Sequence, residues 1–194
     1  MSQQPMSALE AVRRRPELYF QLDRNLLNQY VVGAMCLALA EVHCGSATQI
    51  RVAVDGSSFS VEDDGGGVRT SGRPEGVGYI ERMMTELFAC RDAKEHEQVK
   101  RELCGAGLAA VNAVAEAARI ETVIEGICWT QSYESGTPVA PVAEGGSLRV
   151  GTRLEFHIGA AFRGSDGFDA PALQRHLDGL TLDLSSGEIE VVGR

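Results

Sequence analysis

The stretch Ser60-Val61-Glu62-Asp63-Asp64-Gly65-Gly66-Gly67-Val68-Arg69 carries an alternating strand directly into two acids and three glycines. Alternation over 48–54 and 58–63, with Asp55-Gly56 between the two runs, predicts a β-hairpin whose second strand ends at Asp63. A carboxylate at a strand end can accept hydrogen bonds from the edge of a base, and glycines let a flat ring lie close to the backbone. The stretch therefore predicts a nucleotide site. Its other interpretation is an acidic turn, because Asp and Gly are also common turn formers.

Length and composition indicate one globular domain. A chain of 194 residues can bury about seven-tenths of its unfolded surface, and 44% hydrophobic with 23% charged residues is ordinary for a folded protein. The net charge of -9 provides no broad positive surface for a nucleic-acid backbone, so we expect no direct DNA binding. The local basic run Arg13-Arg14-Arg15 is typical of a solvated helix end.

Cysteine usage and apolar runs bear on the compartment. The five cysteines are scattered and lack metal-ligand spacing, as in a reduced cytoplasmic protein. No apolar segment follows positive charge at the N-terminus, and nowhere do eighteen apolar residues run together. We therefore predict a cytoplasmic location, without export, membrane spanning or a membrane partner.

Hydrophobic periodicity predicts a mixture of helices and hairpin strands. Helices are predicted over 8–14, 25–43, 77–90, 108–118 and 169–182, and further strands over 119–125, 127–133, 152–158 and 188–192. The mixture predicts a two-layer α/β sandwich, an α+β arrangement with a mixed, mainly antiparallel sheet and helices on one face.

Two later motifs strengthen the nucleotide interpretation: Leu103-Cys104-Gly105-Ala106-Gly107-Leu108, which opens a helix, and Val150-Gly151-Thr152-Arg153-Leu154-Glu155-Phe156, which forms a strand. Together with Ala11-Val12-Arg13-Arg14-Arg15-Pro16-Glu17-Leu18-Tyr19, they resemble the ATP-binding (GHKL) domain shared by the DNA gyrase B protein and its topoisomerase IV counterpart. The resemblance extends over nearly all of 8–192. It implies the Bergerat ATP-binding fold in a single domain over 1–194, with 1–6 frayed, a nucleotide lid at 91–104 and no transducer domain after position 194.

The resemblance also implies site residues for ATP or ADP. In the family, the aspartate that matches Asp63 accepts a hydrogen bond from the adenine amino group, helped by the threonine that matches Thr152. Gly65 and Gly67 would let the backbone pass near the ring. Gly105 and Gly107 would bring backbone N–H groups to phosphate at a helix N-terminus. The walls of the base pocket, by the same alignment, are Ala38, Val68, Met83, Leu108 and Leu154.

The sequence departs from the family at the catalytic positions. Active members carry on the first long helix a glutamate that activates water and, four residues on, an asparagine that ligates magnesium. The matching positions here are Gly33 and Leu37, so we expect no catalytic residue, no metal ligand and only phosphate-held magnesium. Glu41 matches a family acid, but Gly66 stands where its arginine partner would be. Without a positioned base, the resemblance implies nucleotide binding with weak or no hydrolysis.

Two other functions fit the same residues. One is a divergent but active ATPase domain of a type II topoisomerase-like subunit, with Glu41 or Glu102 as the base. The other is an interaction module that has kept the fold and lost the ligand, and that docks on a gyrase-like subunit or on another copy of itself as a homodimer.

Overall fold

The structure is a computed structural model that describes residues 6–21, 24–70, 74–87, 107–180, 184 and 187–193. The predicted lid at 91–104 and Gly105 lie outside the described residues, as do positions 1–5 of the segment that we expect to be frayed. The remaining predicted site residues all lie within these ranges.

The N-terminal helices begin where side-chain caps predict them. Helix α1 is Ala8–Arg14, and the Ser7 hydroxyl accepts the Glu10 N–H at 3.1 Å. A 3-10 turn follows at Pro16–Leu18. Helix α2 is Leu26–His43, with the Asn25 side chain accepting the Asn28 N–H. Side-chain acceptors satisfy donors that a helix start leaves open, which fixes both starting points.

Helix α2 is apolar nearly all round because it forms the centre of the core. It is the one helix in the described part of the chain with the length and apolarity of a membrane span, and 61% of it is buried inside the fold. Burial of this kind is what a core helix shows. Its partner helix is α4, Gly107–Val114, every residue of which from Leu108 onward is buried.

One mixed sheet of eight strands forms the second layer. The strands are β1 Gln49–Asp55, β2 Ser58–Asp63, β3 Ala115–Ile124, β4 Ile127–Glu134, β5 Thr137–Pro138, β6 Ala143–Glu144, β7 Thr152–Ile158 and β8 Glu188–Gly193. Their order is β5-β4-β3-β7-β2-β1-β8, with β6 paired to β4. Only β1 and β8 run parallel among the described pairs; the others are antiparallel. With helices on one face, this is the two-layer α/β sandwich that the sequence predicts.

The outer face of the sheet is polar, and its charges alternate across the strands. Arg51 lies opposite Glu62 on β2 and Glu190 on β8, and Glu62 in turn lies opposite Arg153 on β7. Ion pairs join Arg51 to Glu190 at 3.4 Å and Arg153 to Glu62 at 2.6 Å. Cross-strand pairs of opposite charge stabilise a sheet locally, so this face is satisfied by its own residues.

The predicted helix over 108–118 is wrong in its second half. Helix α4 ends at Val114, and Ala115 to Ala118 already belong to β3. Alanine favours a helix by local propensity, but these residues pair with Ile158 and Phe156 of β7, with an irregularity near Glu116. Sheet pairing therefore overrides propensity.

Three other predicted elements, two helices and the hairpin turn, have different bounds in the structure. Helix α3 is Gly78–Thr85, because Glu86 takes an extended conformation, so the predicted 77–90 helix is too long. Helix α5 is Ala170–Asp178, capped by the Asp169 side chain and ended at Gly179, rather than 169–182. The β1–β2 hairpin turns at Gly56 and Ser57, because Asp55 still pairs with Ser58.

Candidate functional site

Asp63 ends strand β2 inside the protein, with 5% of its surface exposed. Its Oδ1 accepts two backbone hydrogen bonds, from the Gly65 N–H at 2.9 Å and from the Thr152 N–H at 3.3 Å. Burial, together with the charges of Glu41 and Asp64, raises the pKa of this carboxyl from 3.8 to about 6, against the lowering effect of the two N–H donors. A buried acid that titrates near neutrality is typical of a functional site.

A pair of threonine hydroxyls lies next to this carboxyl. Strand register places Thr152 opposite Asp63 on one side and opposite Thr122 on the other. The two threonine Oγ1 atoms lie 3.0 Å apart, and the Thr122 hydroxyl also accepts the Val68 N–H at 2.8 Å. The glycine loop, residues 64–69, is thus held against the sheet beside the buried acid.

Two glycines with positive φ pack against the group formed by Asp63, Thr122 and Thr152, which we call the Asp63 corner. Gly67 has φ 73°, and a methyl group there would lie 2.0 Å from the Val123 carbonyl oxygen of β3. Gly151 has φ 76°, and a methyl group there would lie 1.8 Å from the carbonyl oxygen of Asp63. Only glycine fits such backbone contacts. Gly151 stands next to Thr152 in a sequence motif, but sequence reasoning gave it no role because the contact depends on register.

The predicted wall residues all belong to one core. Ala38 lies on α2, Met83 on α3, Leu108 on α4, Leu154 on β7 and Val68 in the glycine loop, and each is at most 6% exposed. Gly107 starts α4 with φ 66°. The structure brings Asp63, Gly65, Thr152 and Val68 into one hydrogen-bonded group, with Gly67 packed against it.

A buried glutamate that sequence reasoning missed supports the loop before β7. Glu121 of β3 accepts hydrogen bonds from the N–H groups of Ser147 and Leu148 and from the Arg119 side chain. Burial raises its pKa, but these donors together outweigh burial, so the pKa lies below its ordinary value. The loop that carries Gly151 is therefore anchored to an ionised carboxylate. No motif marks Glu121 in the sequence.

Gly33 and Leu37, which the resemblance matches to catalytic positions, lie in apolar packing. Gly33 is buried on α2, and a methyl group there would lie 2.9 Å from the Val111 Cγ2 atom of α4. Leu37 is half-buried and packs against the core. Among the described residues, no group of three or more His, Cys, Asp or Glu side chains could hold a metal ion. Sequence alone offers no reason for a glycine at 33, and the helix contact supplies it.

A groove of about 720 Å³ lies elsewhere, on the outer face of the sheet. Residues of β1, β2, β3, β4 and β7 line it, among them Arg51, Ser60, Arg119 and Glu155. Alternation places these residues on the face opposite the helices, so the groove lies on the open surface of the sheet. It is separate from the Asp63 corner.

Fold and site together define a two-layer α/β domain whose hairpin ends in a buried acid, with a threonine pair and close-packed glycines around it. No model of a protein family matches the sequence. Curated proteins do match: the B subunit of DNA gyrase from Mycobacterium tuberculosis is 25% identical over 194 residues, which cover 95% of this chain and 29% of that protein. The B subunit of DNA gyrase from Treponema pallidum is 31% identical over 145 residues, covering 73% of this chain and 23% of that protein.

A second type of relative also matches most of the chain. The B subunit of DNA topoisomerase 4 from Staphylococcus aureus is 29% identical over 180 residues, covering 90% of this chain and 27% of that protein. The chain thus spans less than a third of the length of these relatives. The similarity supports a DNA gyrase B-like domain.

Proposed function

We propose that the chain is a single nucleotide-binding domain of the Bergerat (GHKL) type, which binds ATP or ADP at Asp63 and hydrolyses ATP slowly or not at all. The observation that carries the proposal is the Asp63 carboxyl. It is buried, and both N–H donors reach the same oxygen, Oδ1. Oδ2 accepts neither of these bonds and is the atom available to a base amino group. The similarity to the B subunits of DNA gyrase and topoisomerase 4 supports a type II topoisomerase-like ATPase domain as the setting.

The adenine ring would lie between the end of the β1–β2 hairpin and the helices. Asp63 Oδ2 would accept from the adenine amino group, and the Thr152 hydroxyl would contact the ring edge. The apolar walls are Ala38, Val68, Met83, Leu108 and Leu154. Water is excluded from such a site, which makes a charge-assisted hydrogen bond stronger than it would be in bulk solvent.

The phosphates would lie at the start of α4, where the helix dipole and backbone N–H groups favour an anion and where Gly105 and Gly107 would allow close approach. The charged segment 91–104 would close over them as a lid. Magnesium would be held by the phosphates, because Leu37 offers no ligand atom.

Slow or absent hydrolysis follows from Gly33. A positioned general base contributes roughly 10²–10⁴-fold to a rate, and a glycine offers none. The close contact with Val111 also leaves no space there for a longer side chain. Glu41, the acid considered as a substitute base, lies 3.8 Å from the Arg69 side chain, which stabilises its charged form. An ion-paired carboxylate is a weaker base.

The partner of the domain would be a gyrase-like subunit or a second copy, in the cytoplasm. We expect no direct nucleic-acid binding, because the arginines of the basic run make contacts within the protein. Arg13 donates to the Ala113 carbonyl and stacks on Phe162, and Arg14 and Arg15 pair with Glu10 and Glu17.

Calorimetric titration tests the proposal. ATP and a non-hydrolysable analogue are titrated with and without magnesium into the wild type, Asp63→Asn and a matched control, Asp55→Asn, whose acid is exposed at the hairpin end. We expect binding by the wild type and by Asp55→Asn, at least tenfold weaker binding by Asp63→Asn, and little dependence on magnesium. Absence of binding by the wild type in every condition would reject nucleotide binding and favour an interaction module.

A further inference from the structure

The acid beside Asp63 occupies an unfavourable place. Glu41 lies in the last turn of α2, where the helix dipole disfavours a negative charge. Its side chain is only 12% exposed, so water screens it poorly. A methyl group at Gly65 would lie 3.3 Å from the Glu41 Cβ and 3.0 Å from Asp63 Oδ1, so one glycine separates the two acids. Each carboxylate therefore disfavours the charge of the other.

A cation offsets this charge from the loop. The Arg69 Nε atom lies 3.8 Å from Glu41 Oε1, and its Nη2 donates to the Ser46 hydroxyl at 2.9 Å. Ser46 is held in turn, because its N–H donates to the backbone carbonyl of Glu41 at 2.8 Å. The guanidinium is thus directed at the end of α2 by two contacts.

The charge state of Asp63 decides what its second oxygen can do. Because Oδ1 already accepts two N–H groups, a proton on the neutral acid would be carried by Oδ2. A protonated Oδ2 donates a hydrogen bond, whereas an ionised one accepts. The ionised form is therefore much the stronger acceptor for an adenine amino group.

We propose that Arg69 is a positioning residue for base recognition: by offsetting the charge of Glu41, it keeps Asp63 ionised and Oδ2 an acceptor. The inference deepens the function proposed above and rests on it for the nucleotide. The described charged groups around Asp63 are Glu41 from α2, Asp64 and Arg69 from the loop, and Glu62 with Arg153, which pair with each other on the outer face.

The first experiment follows the side-chain carboxyl of Asp63 by ¹³C NMR against pH in the protein without nucleotide. We expect a midpoint near 6 in the wild type and a rise of at least about half a pH unit in Arg69→Ala, a modest shift because the arginine is half exposed. Arg69→Lys keeps the charge and should stay near the wild type. Arg175→Ala removes an exposed arginine of α5 and should change nothing.

A double variant separates this role from a merely structural one. In Arg69→Ala/Glu41→Gln the charge that Arg69 offsets is gone, so the midpoint should return to the wild-type value or fall below it. An unchanged midpoint in Arg69→Ala, or the same rise with and without Glu41→Gln, would overturn the inference.

The second experiment measures ATP affinity of the same variants at pH 6 and pH 8. We expect Arg69→Ala to bind about two- to threefold more weakly than the wild type at pH 6 and equally at pH 8. Equal loss at both values would contradict the role of Arg69. Absence of ATP binding by the wild type would instead reject the proposed function, while the carboxyl titration would still decide whether Arg69 controls Asp63.

Discussion

The Asp63 corner and the contact between Gly33 and Val111 are both buried, but they are built from different interactions. The first is polar: a carboxyl, two threonine hydroxyls and backbone N–H groups satisfy one another. The second is apolar and close, with one helix lying directly on another. This difference supports our proposal that the domain binds an adenine nucleotide but hydrolyses ATP slowly or not at all. The residues around Asp63 are held by hydrogen bonds, whereas Gly33, which the resemblance matches to a catalytic glutamate, is packed in the core.

The largest loss of stability is expected from a methyl group at Gly67, in the Asp63 corner. Gly67→Ala places a methyl group 2.0 Å from the Val123 carbonyl at a positive φ, so we expect the free energy of unfolding to fall by about 3 kcal/mol or more. Gly66→Ala is the matched control, because Gly66 is exposed and a methyl group there meets nothing within 4 Å. Urea denaturation of both variants measures the difference. Equal stability of the two would show that the glycine loop is not packed on β3.

The ionisation of Asp63 should destabilise the protein without nucleotide. Its pKa is about 6 in the folded state against 3.8 ordinarily, so its contribution to stability is fully present below pH 3.8 and is lost as the pH rises through about 6. Asp63→Asn, which cannot ionise, should therefore match the wild type at pH 4 and exceed it by about 3 kcal/mol at pH 8, at about 1.4 kcal/mol per unit. Denaturation at the two pH values measures this.

The ionisation of Asp64 should stabilise the protein, which is the opposite of the effect expected for Asp63. Burial raises its pKa, but hydrogen bonds from Thr48 and Gln49 outweigh burial and hold the pKa below its ordinary value. Its stabilisation is present above the ordinary pKa and is lost as the pH falls. Asp64→Asn should therefore destabilise the protein at pH 8 and less so at pH 4. If Asp63→Asn and Asp64→Asn changed the free energy of unfolding at pH 8 in the same direction, the roles assigned to the two acids would be contradicted.

The stability contributed by the contact between Gly33 and Val111 should depend on side-chain volume and not on pH. Alanine normally stabilises a helix interior relative to glycine by about 0.5–1 kcal/mol. Gly33→Ala should instead destabilise by about 1–2 kcal/mol, because its methyl group would lie 2.9 Å from Val111 Cγ2. In a Val111→Ala background the same change should be neutral or stabilising. A double-mutant cycle by urea denaturation measures the coupling, and additivity of the two changes would argue against the contact.

The polar corner was largely predictable and the apolar contact was not. Asp63, Thr152 and the glycines stand in short motifs, and a strand that ends in acids and glycines can be recognised locally. The roles of Thr122, Gly151 and Glu121 depend on which strands lie side by side, and that register is not written in any one segment. Gly33 needed the position of Val111, far along the chain. The Ala-rich segment after Val114 was misassigned for the same reason, since pairing with β7 decides its conformation.

The most direct test of separated recognition and catalysis is the fate of bound nucleotide. ATP and magnesium are mixed with the wild type at saturation, and the nucleotide is recovered from the complex after several hours and analysed. We predict that the protein retains nucleotide and that this nucleotide is still ATP. Recovery of ADP with release of phosphate would contradict it, because Gly33 would then not have removed catalysis, and a complex that holds no nucleotide would contradict the recognition half.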